Sequence, residues 1–392
     1  MEHSIYYIYD TPPVEPYYER FGMNYFNDKG WNVHAIDLSP IIHPKAYQIV
    51  TTGLIKDIER EIFYDKKSFK KYAKRIPDGA FFVFTTDFIY DIYFVYQCIR
   101  KSQYYGYMTR MDTSVEPDKA EITDRIKGMF NKDFFMHIRN SLFIRIPRKL
   151  LPIKAADFFF LGGMANRDNY ISLGYTDEHT RICHIHSMDY EMYLKAKEKG
   201  GHLIEGEFCV FLDEYLPYHP DQATAGYYMD PKTYYDEMNS FLHLLQSKYG
   251  MKVVIALHPR ANMEVCRKWY PDFELRKFET AELIRDCGYV VVHFSTAISY
   301  AAAFYKPLII CTTATIWERN DWRDVTGKFA ELLDTAIYNV SDLGKVQLPD
   351  KLHVNRDKYR EFIRLYLKAD LGSEDEHLGA RMYRELSSIA EG

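Results

Sequence analysis

Residues 289–311 read YVVVHFSTAISYAAAFYKPLIIC, and this stretch decides the fold. A run of β-branched and aromatic residues stops at Ser295-Thr296, a small-residue helical pattern follows, and Lys306-Pro307 leads into a second apolar run, 308–311. Strand, helix and strand in that order predict a parallel sheet, because a helical crossover returns the chain to the edge from which it started. Residues 253–260, VVIALHPR, repeat the theme: a buried strand that ends abruptly at His258-Pro259-Arg260. In an open parallel sheet, ligands bind just beyond the carboxyl ends of the strands. Ser295 and Thr296 are expected where a helix begins, with hydroxyls and unpaired backbone N–H groups turned toward one spot, the make-up of a phosphate site. His258 and Arg260 are expected to add charge nearby, and Ser299, one helical turn on, to face the same spot. The pattern points to a phosphorylated, nucleotide-linked ligand.

Working outward, the same alternation recurs. Apolar runs at 5–9, 31–38 and 80–84 predict strands, closed by Pro12-Pro13, Ser39-Pro40 and Thr85-Thr86-Asp87. Tyr18, Phe21 and Tyr25 recur at helical spacing before Gly30. Further strands are expected at 157–163, 181–185 and 208–212, the last ending at Asp213-Glu214. Helices are expected at 233–246, closed by Gly250, and at 356–368 and 374–388. At 392 residues the chain is long enough for two domains. The expected division is an N-terminal Rossmann-like domain over 1–205, a C-terminal one over 206–370, and a terminal helix over 371–392 that crosses back to the first.

Hydrophobic residues make up 47% and charged residues 27%, the profile of an ordinary folded α/β protein. A net charge of −5 provides no basic field for a nucleic acid backbone. The six cysteines form no C-x-x-C pair, so neither a zinc site nor a redox motif is expected, and a reducing cytoplasm fits. The first residues lack a signal-peptide pattern. Asp87 and Asp91 in one apolar stretch, and Lys306-Pro307 in another, exclude a transmembrane helix there. Segment 134–154 interleaves Arg139, Arg145, Arg148, Lys149 and Lys154 with apolar residues. It is a candidate contact for the inner membrane surface or an anionic acceptor, or else a solvated helix face. No G-x-G-x-x-G, Walker or G-x-S-x-G motif is present, nor an Asp-x-Asp metal motif. The 34 tyrosines suit either an aromatic core or a sugar-binding cleft.

Three strand ends of the second domain carry polar groups: Asp213-Glu214, His258-Pro259-Arg260 and Ser295-Thr296. Parallel strands bring such ends to one edge. Each alone reads as a cap or turn; together a carboxylate pair, cations and hydroxyls complement one another chemically. The segment FLDEYLPYHPD, 211–221, resembles a motif of bacterial surface-carbohydrate biosynthesis proteins, and the nearest group is the β-Kdo transferase module of O-antigen assembly. The order of acidic pair, His-Pro, then Ser/Thr before a small-residue helix also resembles bacterial sialyltransferases and polysialyltransferases. The likeness runs over 206–307, with His186 to Tyr190 just before it.

The resemblance implies a GT-B-like α/β fold, two Rossmann-like domains facing a central cleft, with acceptor bound by the first and donor by the second. It implies transfer of an ulosonic acid, Kdo or sialic-acid-like, from a CMP-activated donor to a glycan or lipid-linked acceptor in capsule, O-antigen or lipooligosaccharide synthesis. The CMP-sugar is a substrate, and neither a metal nor another cofactor is required. By position, His258 meets the CMP phosphate and aids its departure, Ser295 and Thr296 hold that phosphate, and Arg260 and Ser299 stand beside it. Asp213 lies at the anomeric carbon, as general base in the inverting sialyltransferases or as nucleophile in the retaining Kdo transferases, with Glu214 completing the acidic pair. Sialyltransferases carry a glycine after that pair; Tyr215 stands here, which leans toward the Kdo-type group. Two alternatives remain. A UDP-sugar transferase or epimerase of the same fold usually carries a glycine-rich first loop, where this chain has Thr11-Pro12-Pro13. The other alternative is a non-catalytic glycan- or nucleotide-binding protein.

Overall fold

The computed structural model describes residues 3–49, 53–86, 88–109, 132–146, 150–165, 167–172, 174, 176–219 and 228–391. It forms two compact units. The first runs to Glu191 and takes in Arg364–Gly392; the second is Met192–Ile363. The chain thus changes unit at 191/192 and 363/364, rather than at 205/206 and 370/371.

The first unit holds a seven-stranded parallel sheet of β1 (Ser4–Tyr9), β2 (Asn32–Asp37), β3 (Glu59–Ile62), β4 (Phe81–Phe84), β5 (Tyr104–Met108), β6 (Phe158–Leu161) and β7 (Arg181–His184), in the order β3-β2-β1-β4-β5-β6-β7. Its inner strands β1, β4 and β6 are apolar along almost their whole length because both faces are buried. Tyr6, Ile8, Phe82 and Phe84 enter one core, and Ile5, Tyr7, Tyr9, Phe81 and Val83 the other. Leu378, Met382 and Leu386, one turn apart on the terminal helix Leu378–Glu391, join the second of these cores. The helix expected from Tyr18, Phe21 and Tyr25 is split into Pro16–Arg20 and Met23–Asp28. Gly22 sits between them at φ 68°, where a Cβ would lie 2.5 Å from the Gly379 Cα. That close approach needs glycine on both sides and breaks the helix.

The second unit holds β8 (Phe208–Asp213), β9 (Lys252–Leu257), β10 (Glu274–Lys277), β11 (Val290–Val292), β12 (Leu308–Thr312) and β13 (Ile337–Asn339), all parallel, in the order β10-β9-β8-β11-β12-β13. The helix Pro231–Tyr249 packs on this sheet through Tyr234, Met238, Phe241 and Leu245, spaced as one helical stripe. Asp230 caps its start by accepting from the Thr233 N–H, and Gly250 ends it in the left-handed region at φ 69°.

Strands β3, β5, β10 and β13 were not among those expected. β3 (EREI) and β10 (ELRK) are polar edge strands, β13 has three residues and β5 is interrupted by Gly106, so none presents an apolar run. The helix expected over 356–368 stops at Phe362 and widens into a π turn, Ile363–Leu367, where the chain changes unit. Both sheets have the doubly wound order in which the winding direction reverses once: between β1 and β4 in the first, and between β8 and β11 in the second. Ligands of such sheets bind at that reversal.

No described helix is long and apolar enough to cross a membrane. Within 134–154, Arg139 pairs with Asp91 and lies 4.7 Å over the Tyr90 ring, while Lys154 pairs with Asp157 at 2.8 Å. These two cations are therefore neutralised inside the unit. Ile138, Leu142, Ile146 and Leu150 stay exposed, and Arg148 and Lys149 lie outside the described residues.

Candidate functional site

Asp213 is the last residue of β8, paired in register with Leu257 of β9, so the next residue of β9's chain, His258, stands at the same edge. β11 flanks β8 on the other side and ends at Val292, which brings His293, Phe294 and Ser295 to that edge as well. The polar strand ends of the sequence therefore share one edge of one sheet, at its reversal point.

The two carboxylates are buried, Asp213 to 3% and Glu214 to 8% exposure. Asp213 Oδ1 accepts from the Tyr270 hydroxyl at 3.1 Å. Its Oδ2 is buried with no hydrogen-bond partner among the described residues. Burial pushes the Asp213 carboxyl up to about 7, opposed by the Tyr270 hydroxyl and the Tyr215 backbone amide. Glu214 Oε1 accepts from the Phe294 N–H at 2.9 Å. Burial, reinforced by the charge of Asp213, raises this carboxyl to about 8, against the pull of the Phe294 and Ser295 amides. Glu214 is thus an internal anchor: its carboxyl engages the Phe294 and Ser295 amides at the end of β11, the second of them at the position where a phosphate was expected.

The helix after β11 also starts later than expected, at Ile298. Ser295 Oγ accepts from the Ala297 N–H at 3.3 Å, and the Ile298 and Ser299 N–H groups bond the Ser295 and Thr296 carbonyls. Ser299 is buried and donates its hydroxyl to the Thr296 carbonyl at 2.7 Å. The expected convergence of unpaired N–H groups and hydroxyls is therefore spent on the turn itself. Thr296 is exposed, and the Ser295 hydroxyl, an acceptor in its turn, retains a proton to donate.

His258 follows β9 half-buried. Its Nδ1 accepts from the Arg260 backbone N–H at 3.1 Å, which places the neutral ring's proton on Nε2. The 3-10 turn Leu216–Tyr218 carries His219 against it, edge to face, with centroids 4.8 Å apart. The Arg260 residue is exposed.

Tyr215, at the glycine position of the sialyltransferase-like pattern, adopts φ 56° and ψ 33°. This is the left-handed region where glycine is at ease, and a side chain costs roughly 1–2 kcal/mol there. The ring offsets the cost by being buried and packing on Tyr218 at 5.4 Å.

Three residues of this edge carried no signal in the sequence. His293 is buried; its Nδ1 donates to the Cys311 carbonyl at 2.7 Å and its Nε2 accepts from the Tyr234 hydroxyl at 3.1 Å. Burial lowers its pKa to about 4, so the ring is neutral. Tyr234 and Tyr270 stand in no motif, and only the abundance of tyrosine hinted at polar roles. Elsewhere, His34, Glu59 and Glu61 on paired strands β2 and β3 offer ligand atoms within 4.8 Å of one another, a group that could hold a metal ion. It belongs to the first sheet, and no step below runs through it.

No protein-family model and no curated protein matches the chain. Solved structures match it in fold. The H548A form of the wall teichoic acid polymerase TagF aligns with a TM-score of 0.54 at 12% identity, over 99% of this chain and 90% of that one. Its H444N variant aligns at 0.51 and 13%, over 100% and 90%. A structure from Listeria monocytogenes, assigned as a UDP-N-acetylglucosamine 2-epimerase, aligns at 0.51 and 10%, over 99% and 96%. At such identities the likeness is one of fold: two Rossmann-like parallel-sheet α/β units, as in GT-B proteins.

Proposed function

We propose that the chain is a GT-B glycosyltransferase that moves an ulosonic acid, Kdo or a sialic acid relative, from a CMP-activated donor to a glycan or lipid-linked acceptor. The observation that carries the reading is the Asp213-Glu214 carboxyl pair at the reversal point of the second sheet, with protonation held near neutrality by burial. An ordinary carboxylate is fully ionised at pH 7; one pushed toward 7 is matched to taking and giving a proton there. The fold likeness to a wall teichoic acid polymerase supports a role in surface-polymer synthesis.

Asp213 is the group that acts, because Glu214 is bonded to the β11 end whereas Asp213 keeps Oδ2 without a partner among the described residues. In the inverting form, Oδ2 takes the proton of the acceptor hydroxyl. The acceptor oxygen bonds the anomeric carbon, and the bond from that carbon to the CMP phosphate oxygen breaks with its electron pair leaving on phosphate. In the retaining form, the Asp213 carboxylate bonds the anomeric carbon as the bond to the CMP phosphate oxygen breaks and its electron pair leaves on phosphate; the acceptor oxygen then bonds that carbon, the bond to Asp213 breaks, and the released carboxylate takes the acceptor's proton. Either way the developing phosphate charge needs donors. These are the His258 Nε2–H, the Arg260 guanidinium and the Ser295 and Thr296 hydroxyls. Ser299, whose hydroxyl is spent on the Thr296 carbonyl, supports the turn.

Thermal unfolding with CMP, CDP, UMP and UDP, each without metal, tests the donor class. CMP at 100 times its Kd is expected to stabilise the protein by about 2.7 kcal/mol, and His258→Ala to lose most of that gain. Stabilisation by UDP alone would instead favour a UDP-sugar enzyme, which the epimerase-like fold also suits. No stabilisation by any of the four would favour a glycan-binding protein.

A lipid-linked acceptor lies at a membrane, and the exposed apolar residues Ile138, Leu142, Ile146 and Leu150 suit contact with one. Leu142→Asp with Leu150→Asp is expected to reduce co-flotation with anionic vesicles several-fold. Unchanged flotation would remove the membrane from the proposal.

A further inference from the structure

We infer that Tyr270 is a positioning residue for Asp213: its hydroxyl holds Oδ1 and leaves Oδ2 as the atom through which this carboxyl exchanges its proton. The functional meaning of this inference rests on the reading of Asp213 as the proton-transfer group.

Tyr270 follows the helix Met263–Trp269 and is 1% exposed. Its ring is fixed from two sides, edge to face with Tyr235 at 5.0 Å and with Phe211 at 6.4 Å, so the hydroxyl cannot swing away from Asp213. A phenol has one proton to donate, and here it goes to Oδ1. Burial and the charge of Asp213 hold the phenol's own pKa well above its ordinary value, so it remains a donor wherever Asp213 titrates. An oxygen already accepting a hydrogen bond is the less basic of the two, which leaves Oδ2 to carry the proton.

The other titratable groups that feel Asp213 are Tyr234 and Tyr235 from the helix Pro231–Tyr249, Cys266 from the helix Met263–Trp269, and Glu214 and Tyr215 from the loop after β8. Burial pushes the phenols and the thiol up, so they stay neutral at pH 7. His293, bonded to Tyr234, is neutral above about 4. Near neutrality the titration therefore belongs to Asp213 with its neighbour Glu214, and the Tyr270 hydroxyl is the side-chain donor that favours the charged form of Asp213.

Tyr270→Phe removes that donor and nothing else. Carbon-13 NMR of the aspartate carboxyls, with Asp213→Asn assigning the resonance, reads the titration directly. In Tyr270→Phe the Asp213 midpoint is expected to rise by about one pH unit. Placing 3-fluorotyrosine at 270, a stronger donor of the same shape, is expected to move it down; this second protein carries the test should the phenylalanine variant not fold. A midpoint unchanged in both would overturn the inference. A midpoint that moves as stated, in an enzyme whose Asp213→Asn form still turns over, would uphold the action of Tyr270 on Asp213 and sink the catalytic reading of Asp213.

Discussion

Asp213→Asn is expected to cost about 10²–10⁴-fold in turnover, the usual worth of a positioned general base, while making the protein more stable at pH 8. The two effects have one cause. In the folded chain burial holds the Asp213 carboxyl up to about 7, against an ordinary value of 3.8 when exposed. Between those values the fold binds a proton that the unfolded chain has released, so stability falls as pH rises through this window and levels off above it. A gap of that size corresponds to at most about 4 kcal/mol by pH 8. Asparagine carries no charge and escapes the loss. Its Nδ2, at the position of Oδ2, which has no partner among the described residues, returns about 1–3 kcal/mol of that as an unsatisfied donor. A net gain of about 1–3 kcal/mol at pH 8 is therefore expected. The checks are CMP release from a CMP-ulosonic acid, and unfolding midpoints at pH 5 and pH 8. Full turnover in the variant would remove Asp213 from the chemistry. A loss of stability at pH 8 would mean that the fold favours the charged form. A fold that holds a destabilising carboxyl at a strand end is what a functional site looks like when activity and stability compete.

Glu214 shares that pH linkage but is expected to differ in turnover. With its carboxyl raised to about 8, it is largely neutral at pH 7 and serves as an acceptor for the Phe294 and Ser295 amides. Glutamine offers the same acceptor in the same shape. By the same linkage Glu214→Gln, which holds no proton to be released, should gain up to about 3 kcal/mol of stability by pH 7 relative to its standing at acid pH, and should keep turnover within a few-fold. Glu214→Ala strips the half-buried Phe294 and Ser295 amides of their partner and opens a gap between β8 and β11, for an expected loss of about 2–4 kcal/mol. Denaturant unfolding and initial rates of both variants decide it. A Glu214→Gln protein as inactive as Asp213→Asn would restore Glu214 to the catalytic set.

The contrast between neighbouring carboxylates also marks how far the sequence could be read. Apolar runs ending at Asp213, His258 and Ser295 were visible, because a strand buried on both faces must be apolar along its length and must stop where it meets polar residues. Edge strands β3 and β10 escaped because one side of an edge strand faces no neighbour, and their sequences, EREI and ELRK, show no such run. The left-handed backbone at Tyr215 was visible only as a tyrosine standing where the sialyltransferase-like pattern has glycine. Ser295 and Ser299 were expected to turn toward a ligand, and the tight turn before the helix instead engages Ser295 Oγ with the Ala297 amide and the Ser299 hydroxyl with the Thr296 carbonyl.

Periodicity alone determined two parallel α/β sheets and brought the polar strand ends to a common edge, since hydrophobic burial acts on local pattern and needs no knowledge of a partner. The division of labour at that edge was decided only by tertiary structure. Asp213 meets Tyr270 across 57 residues of sequence, and Glu214 meets Phe294 across 80. Hydrogen bonds are short and directional, so which carboxylate is anchored to the end of β11 and which is held through one oxygen by Tyr270 depends on ångström-scale placement of remote segments. Strand patterns carry no record of that placement.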